Sequence, residues 1–191
     1  MKNIFLRILF GMFSIGISQF LCYLFIDDVF VNFATATQAF LCLRLVIAIL
    51  IYISINWVMK SPIYNLEKDI LFLSYVFLSI SISLLRFKLA FYKPGNFNVI
   101  NIIHYSKTTI FFNILFYIPF GYYLRSRLKL KTLYKFIIFL FYIVIIEISQ
   151  HLLNVGFFDI NDVILNCLGF LIGYIAQKTI MSFLTTKKLS T

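Results

Sequence analysis

Residues 4–26 read IFLRILFGMFSIGISQFLCYLFI, and further apolar runs follow at 39–59, 70–91, 109–124, 136–153 and 161–184. A helix rises about 1.5 Å per residue and the hydrocarbon core of a bilayer is about 30 Å thick, so about 20 apolar residues make one crossing. Inside that layer water cannot satisfy backbone N–H and C=O groups, and a helix satisfies them internally. The expected fold is therefore all-α: a polytopic transmembrane helix bundle of about six spans. Composition agrees, with 62% hydrophobic and 13% charged residues against roughly 45–50% and about 25% in soluble domains. Lipid, the first expected partner, covers the apolar surface.

The net charge of +10 comes from 17 Lys and Arg against 7 Asp and Glu. The basic residues cluster in short loops between apolar runs, which is the positive-inside pattern and not a nucleic-acid surface. With the N-terminus cytoplasmic, twelve basic residues fall inside (Lys2, Arg7, Lys60, Lys68, the five of 125–135, Lys178, Lys187 and Lys188). Four fall outside (Arg86, Lys88, Lys93 and Lys107). Both termini are thus expected in the cytoplasm, and the protein in the cell membrane. The first run is too long for a secretory signal and no A-x-A site follows it, so it is read as an uncleaved helix. Cys22, Cys42 and Cys167 all lie in apolar runs, odd in number and without C-x-x-C spacing. His104 and His151 show no H-E-x-x-H spacing. No disulfide framework, metal site or cofactor is expected. Residues 92–108, opened by Pro94-Gly95 and holding Asn98, Asn101 and His104, are too short to cross and read as a re-entrant or interfacial segment.

Against this background Glu147 to Gly173, EISQHLLNVGFFDINDVILNCLGFLIG, stands apart. A carboxylate at bilayer depth costs about 2.5–3.5 kcal/mol even on the mildest scale, so such a group needs a partner or a task. Glu147, Gln150 and Asn154 follow at i, i+3 and i+7, and Asp162, Asn166, Gly169 and Gly173 at i, i+4, i+7 and i+11; each set occupies one helix face. Gly169 and Gly173 form a small-xxx-small pair that invites a neighbouring helix, span five or span four, to approach closely. Under the inside-terminus topology Asn113, Glu147, Gln150, Asp162 and Asn166 reach similar depths beneath the outer face. Two carboxylates brought close cannot both stay ionised cheaply, so Glu147 and Asp162 are the candidates for acid–base work. The plainer readings are an N-cap role for Asp162, or for Asp159 if the helix starts earlier, and helix-to-helix hydrogen bonds for Asn113 and Asn166. Arg44 is either an ion-pair partner for Glu147 or a snorkelling residue, and Pro119-Phe120-Gly121 interrupts or kinks span four.

Asn113, Phe116, Pro119, Gly121, Glu147, Gln150, Asp159, Asp162, Asn166, Gly169 and Gly173 together resemble the VanZ-like family over about residues 70–180. The resemblance implies a VanZ-like four-helix transmembrane domain at 70–180, two additional N-terminal helices at 1–69 and a short basic cytoplasmic tail at 181–191. It implies binding of, or action on, a cell-envelope component at the outer membrane face, with a link to resistance to the glycopeptide teicoplanin. Asn113, Glu147, Gln150, Asp159, Asp162 and Asn166 are the substrate-binding candidates, and Gly169 and Gly173 the packing residues. Many relatives carry an Arg after the Gly that precedes the Asp pair, whereas Phe157 and Phe158 follow Gly156 here. If that Arg binds an anion, Arg44 or Arg86 is the available substitute. The alternatives are an enzyme or proton-coupled carrier for a lipid-linked substrate, disfavoured because spans five and six offer no basic residue at the site for a phosphate, and a membrane scaffold.

Overall fold

The structure is a computed structural model that describes residues 2–30, 37–85, 94–99 and 106–189. Most of these residues are helical. Helix α1 is Lys2–Leu21, continued by a π-helical turn at Cys22–Ile26 and a last turn at Asp27–Phe30; α2 is Thr37–Val58 and α3 is Asn65–Leu84. Helix α4 is Lys107–Arg127, α5 is Thr132–Leu152 and α6 is Ile160–Leu189. Among the described residues four segments are long and apolar enough to cross a membrane: Ile4–Ile26, Thr37–Val58, Thr132–Leu152 and Ile160–Phe183. The other two, α3 and α4, correspond to predicted spans but carry charge at their ends, Glu67, Lys68 and Asp69 in one and Lys107, Arg125 and Arg127 in the other.

Capping sets several boundaries. The third run starts at Asn65 and not at 70, because the Glu67 carboxylate turns back to accept the Tyr64 N–H at 2.9 Å. Ser106 caps α4 by accepting the Thr109 N–H at 3.1 Å. Helix α4 then runs through Pro119 without a break, so the expected interruption of span four does not occur. Helix α5 ends in a Schellman motif. Asn154 takes the left-handed position at φ 56°, its N–H bonds to His151 O, and the Val155 N–H bonds to Gln150 O. Asn154 therefore lies beyond the helix, not on the Glu147–Gln150 face.

Contacts divide the chain into two compact units, Met1–Lys88 and Leu89–Thr191. In the first, α2 packs against both α1 and α3. Buried Ser14, Ser18, Ala39, Ala48, Ser79 and Ser81 keep these backbones close, as helices do where lipid removes the hydrophobic drive to associate. Ser18 Oγ donates to Arg44 O at 2.6 Å. Arg44 pairs with Asp27 within this unit, which gives the intramembrane cation a carboxylate of its own.

In the second unit α4 and α6 run parallel and touch backbone to backbone. A Cβ on Gly169 would meet Ile114 O at 2.1 Å, one on Gly173 would meet Ile118 O at 1.9 Å, and one on Gly121 would meet Phe170 O at 1.9 Å. The glycine stripe of span six thus receives span four, and the expected approach of span five through those glycines is replaced by an aromatic contact. Phe139 of α5 stacks on Phe170 at 4.7 Å and meets Phe120 edge-on at 5.1 Å. Helix α5 is antiparallel to α6, since Thr132 near its start reaches Tyr174 while Phe139 reaches Phe170.

Candidate functional site

Contacts between α4 and α6 keep a constant register. Asn113 bonds Asp162, Gly121 lies on Phe170, and Arg125 lies over Tyr174, each pair with the same offset along the two helices. On α5 the antiparallel register matches Phe139 to Phe170 and Lys135 to Tyr174. Eight residues beyond each partner of the aromatic stack stand Glu147 on α5 and Asp162 on α6, about 12 Å along both axes. The unit is therefore layered: a polar level with Asn113, Glu147 and Asp162, an aromatic level with Phe139 and Phe170, and a cationic level with Arg125, Lys135 and Tyr174.

At the polar level the Asn113 amide donates to the Asp162 carboxylate at 2.7 Å. That bond gives Asp162 a role other than N-cap. Glu147 is buried at 4% exposure, on the inner side of α5 with Ile143 and Ile146. Asn166 is buried as well and shares the α6 face of Phe170, four residues on, which points toward α5. Its Oδ1 has no donor among the described residues. Gln150 is half-buried, with Gly156 packed against its side chain.

Asp159 stands apart from that level and does the capping. It is buried immediately before α6, and its Oδ1 accepts both the backbone N–H and the side-chain amide of Asn161 at 2.9 Å. Its Oδ2 accepts the Asn96 amide at 3.0 Å. Asn96 joins Phe158 and Ile160 in a two-bond parallel bridge, and Asn161 donates to Asn98 O at 2.9 Å. The segment after Pro94-Gly95 is thus tied to the start of α6 by three asparagines. Asn96 and Asn161 were not among the sequence candidates. The signal for them was present, as two short Asn-bearing motifs, GNFN and DIND, each suited to turns and caps. Arg86, Asn101 and His104 lie outside the described residues.

The first unit holds a second network that the sequence reading passed over. Arg7 Nη1 pairs with Glu67 Oε1 at 2.5 Å and bonds the Tyr52 hydroxyl at 3.3 Å, and Tyr52 in turn donates to Glu67 at 2.9 Å. Arg7 also lies over the Tyr64 ring at 4.4 Å. It fastens α1 to the turn between α2 and α3 and is more than a basic flank. Tyr52 could not be singled out among 12 tyrosines without its partner in view.

The polar level is rich in acceptors and poor in cations. From Thr108 to Leu124, and from Phe136 to Gln177, the chain has no Lys or Arg. Two carboxylates and a donor-less amide oxygen suit an ammonium, hydroxyl or amide N–H. Three His, Cys, Asp or Glu placed to hold a metal do not occur among the described residues. An apolar groove of about 400 Å³ opens beside α5, lined by Gly95, Phe97, Val144, Ile148, His151, Leu152 and Phe158. A family model described as VanZ/LLP1 matches residues 40–182 of the chain, reaching back into α2. No curated protein and no solved structure matches it.

Proposed function

The chain belongs to the VanZ/LLP1 family, and from that premise we propose that it binds a cell-envelope component through the polar level of α4, α5 and α6, at the outer face of the membrane. Asn113, Glu147, Gln150, Asp162 and Asn166 form the binding surface, and Asp159 holds the turn that frames it. The observation that carries the reading is the buried Asn166 Oδ1, an acceptor with no donor among the described residues, on the α6 face toward α5. A buried acceptor left unmatched costs about 1–3 kcal/mol, and a ligand N–H or O–H would recover that. Glu147 and Asp162 supply the negative charge for an amino group, of the kind that envelope precursors and glycopeptides carry. The adjacent apolar groove supports an amphiphilic occupant, with the polar head at Asn166 and the chain along Val144 and Ile148.

The test is complementation. A strain lacking the gene would receive the wild-type chain, Glu147→Gln or Asn166→Leu, each checked for equal membrane abundance. Teicoplanin sensitivity and the profile of envelope lipids and wall precursors would be measured. Wild type restores both phenotypes, and both variants fail to. Full restoration by the two variants would remove the polar level from the function.

A further inference from the structure

We infer that the other end of the same three helices holds a phosphate-binding site, formed by Arg125, Lys135, Thr132 and Tyr174. The geometry starts at Gly121 and Gly173. Because neither has a side chain, α4 and α6 close to contact there, and one turn beyond Gly121 Arg125 is carried over the Tyr174 ring at 4.3 Å. Lys135 approaches the same ring from α5, its ammonium 5.8 Å from the centroid. The Tyr174 hydroxyl shares a 2.8 Å hydrogen bond with Thr132, the first residue of α5. Two cations and two hydroxyls thus converge around one ring.

Neither Arg125 nor Lys135 makes an ion pair or a side-chain hydrogen bond among the described residues. All three carboxylates of this unit belong to its other end, about 18 Å away as twelve residues of α5 separate Lys135 from Glu147. Lys135 is 6% exposed, so its stem is buried, and its ammonium, set beside the Tyr174 ring, has no counter-ion among the described residues. The start of α5 adds to the demand for an anion. Its N-cap residue, Lys131, provides no side-chain acceptor, so the first-turn N–H groups are open toward a negative ligand. A phosphate offers what the site lacks: charge for Lys135, a two-oxygen edge for the Arg125 guanidinium and acceptors for the hydroxyls and amides.

The phosphate has two possible carriers, an anionic lipid headgroup and free inorganic phosphate, and one experiment separates them. The purified full chain in an uncharged detergent would be titrated with phosphatidic acid, phosphatidylglycerol and phosphatidylcholine, with lipid retention read by native mass spectrometry. The anionic lipids are expected to bind saturably and phosphatidylcholine weakly. Lys135→Met and Arg125→Gln should each weaken retention about tenfold or more, whereas exposed Lys129→Ala stays within about twofold of wild type. Displacement of bound lipid by millimolar inorganic phosphate would assign the site to the phosphate group itself, and its absence would assign it to the lipid headgroup. Lys135→Met should also melt no lower than wild type without ligand, since Met keeps the buried apolar stem and drops only the unpaired charge. Should it fail to fold, Arg125→Gln and Tyr174→Phe carry the same reading. Equal retention by every variant, an equal loss in Lys129→Ala, or phosphatidylcholine bound as tightly as phosphatidic acid would each overturn the site.

Discussion

Glu147 sits in FYIVIIEISQHLL, buried, with no Lys or Arg in its helix beyond Lys135. A role in charge or proton chemistry and a role in packing respond in opposite ways to loss of charge. Glu147→Gln keeps the shape and removes the charge. It is expected to abolish the resistance or envelope phenotype while folded yield in the membrane stays within about twofold, since a neutral amide is easier to bury than a carboxylate. A well-folded variant with full activity would leave Glu147 as helix-to-helix packing alone. The Asn113–Asp162 bond allows a sharper measurement. The amide of one side chain and the carboxylate of the other meet at 2.7 Å, so Asn113→Ala and Asp162→Ala should be non-additive. A coupling energy of about 0.5–3 kcal/mol in thermal or denaturant unfolding is expected, and strict additivity would show that the bond contributes nothing in the membrane.

At the scale of the helix Gly121, Gly169 and Gly173 differ from Gly95 and Gly156, the other glycines of the second unit. The missing Cβ positions of the first three fall about 2 Å from carbonyl oxygens of the facing backbone, a distance that no side-chain rotation can relieve. Gly121→Ala and Gly173→Ala should each lower folded yield several-fold, and either Leu variant should abolish it, whereas lipid-facing Leu171→Phe is tolerated; detergent-solubilised monodisperse protein is the readout. Equal yields across the set would remove the close packing. The sequence announced this contact through the spacing of Gly169 and Gly173, but not its partner. Glycine spacing states that something approaches, and only the three-dimensional register shows that it is α4, with Gly121 supplying the reciprocal gap. Helix existence was legible from apolar length alone. Helix ends were less so, because they depend on side-chain caps such as Glu67 on Tyr64 and on the Asn154 turn. The site was legible as polar residues in an apolar field. The division of labour between Asp159 and Asp162 was not, since it depends on a first helical residue, Ile160, that the spacing leaves open.

Across the second unit, charge is uneven along the helices. Glu147, Asp159 and Asp162 lie toward one end, with Lys107 at the start of α4, and Arg125, Arg127, Lys129, Lys131 and Lys135 lie toward the other. Basic residues next to spans are retained on the cytoplasmic side, so the α4–α5 turn is expected in the cytoplasm and the α5–α6 turn outside. If α3 and α4 also cross despite their charged ends, the same rule would put both termini inside. For α4 the side chains suit a crossing: Asn113 and Arg125 face α6 at two levels, while Phe111, Phe112, Leu115 and Tyr122 are exposed. Single cysteines at exposed Phe157 and Lys129 in a cysteine-free chain would be probed with an impermeant thiol reagent. Labelling at 157 in intact cells, and at 129 only after permeabilisation, is expected. The reverse pattern would turn the bundle over: the polar level would face the cytoplasm and could not receive an envelope ligand from outside, while the cationic level would lie against the external leaflet.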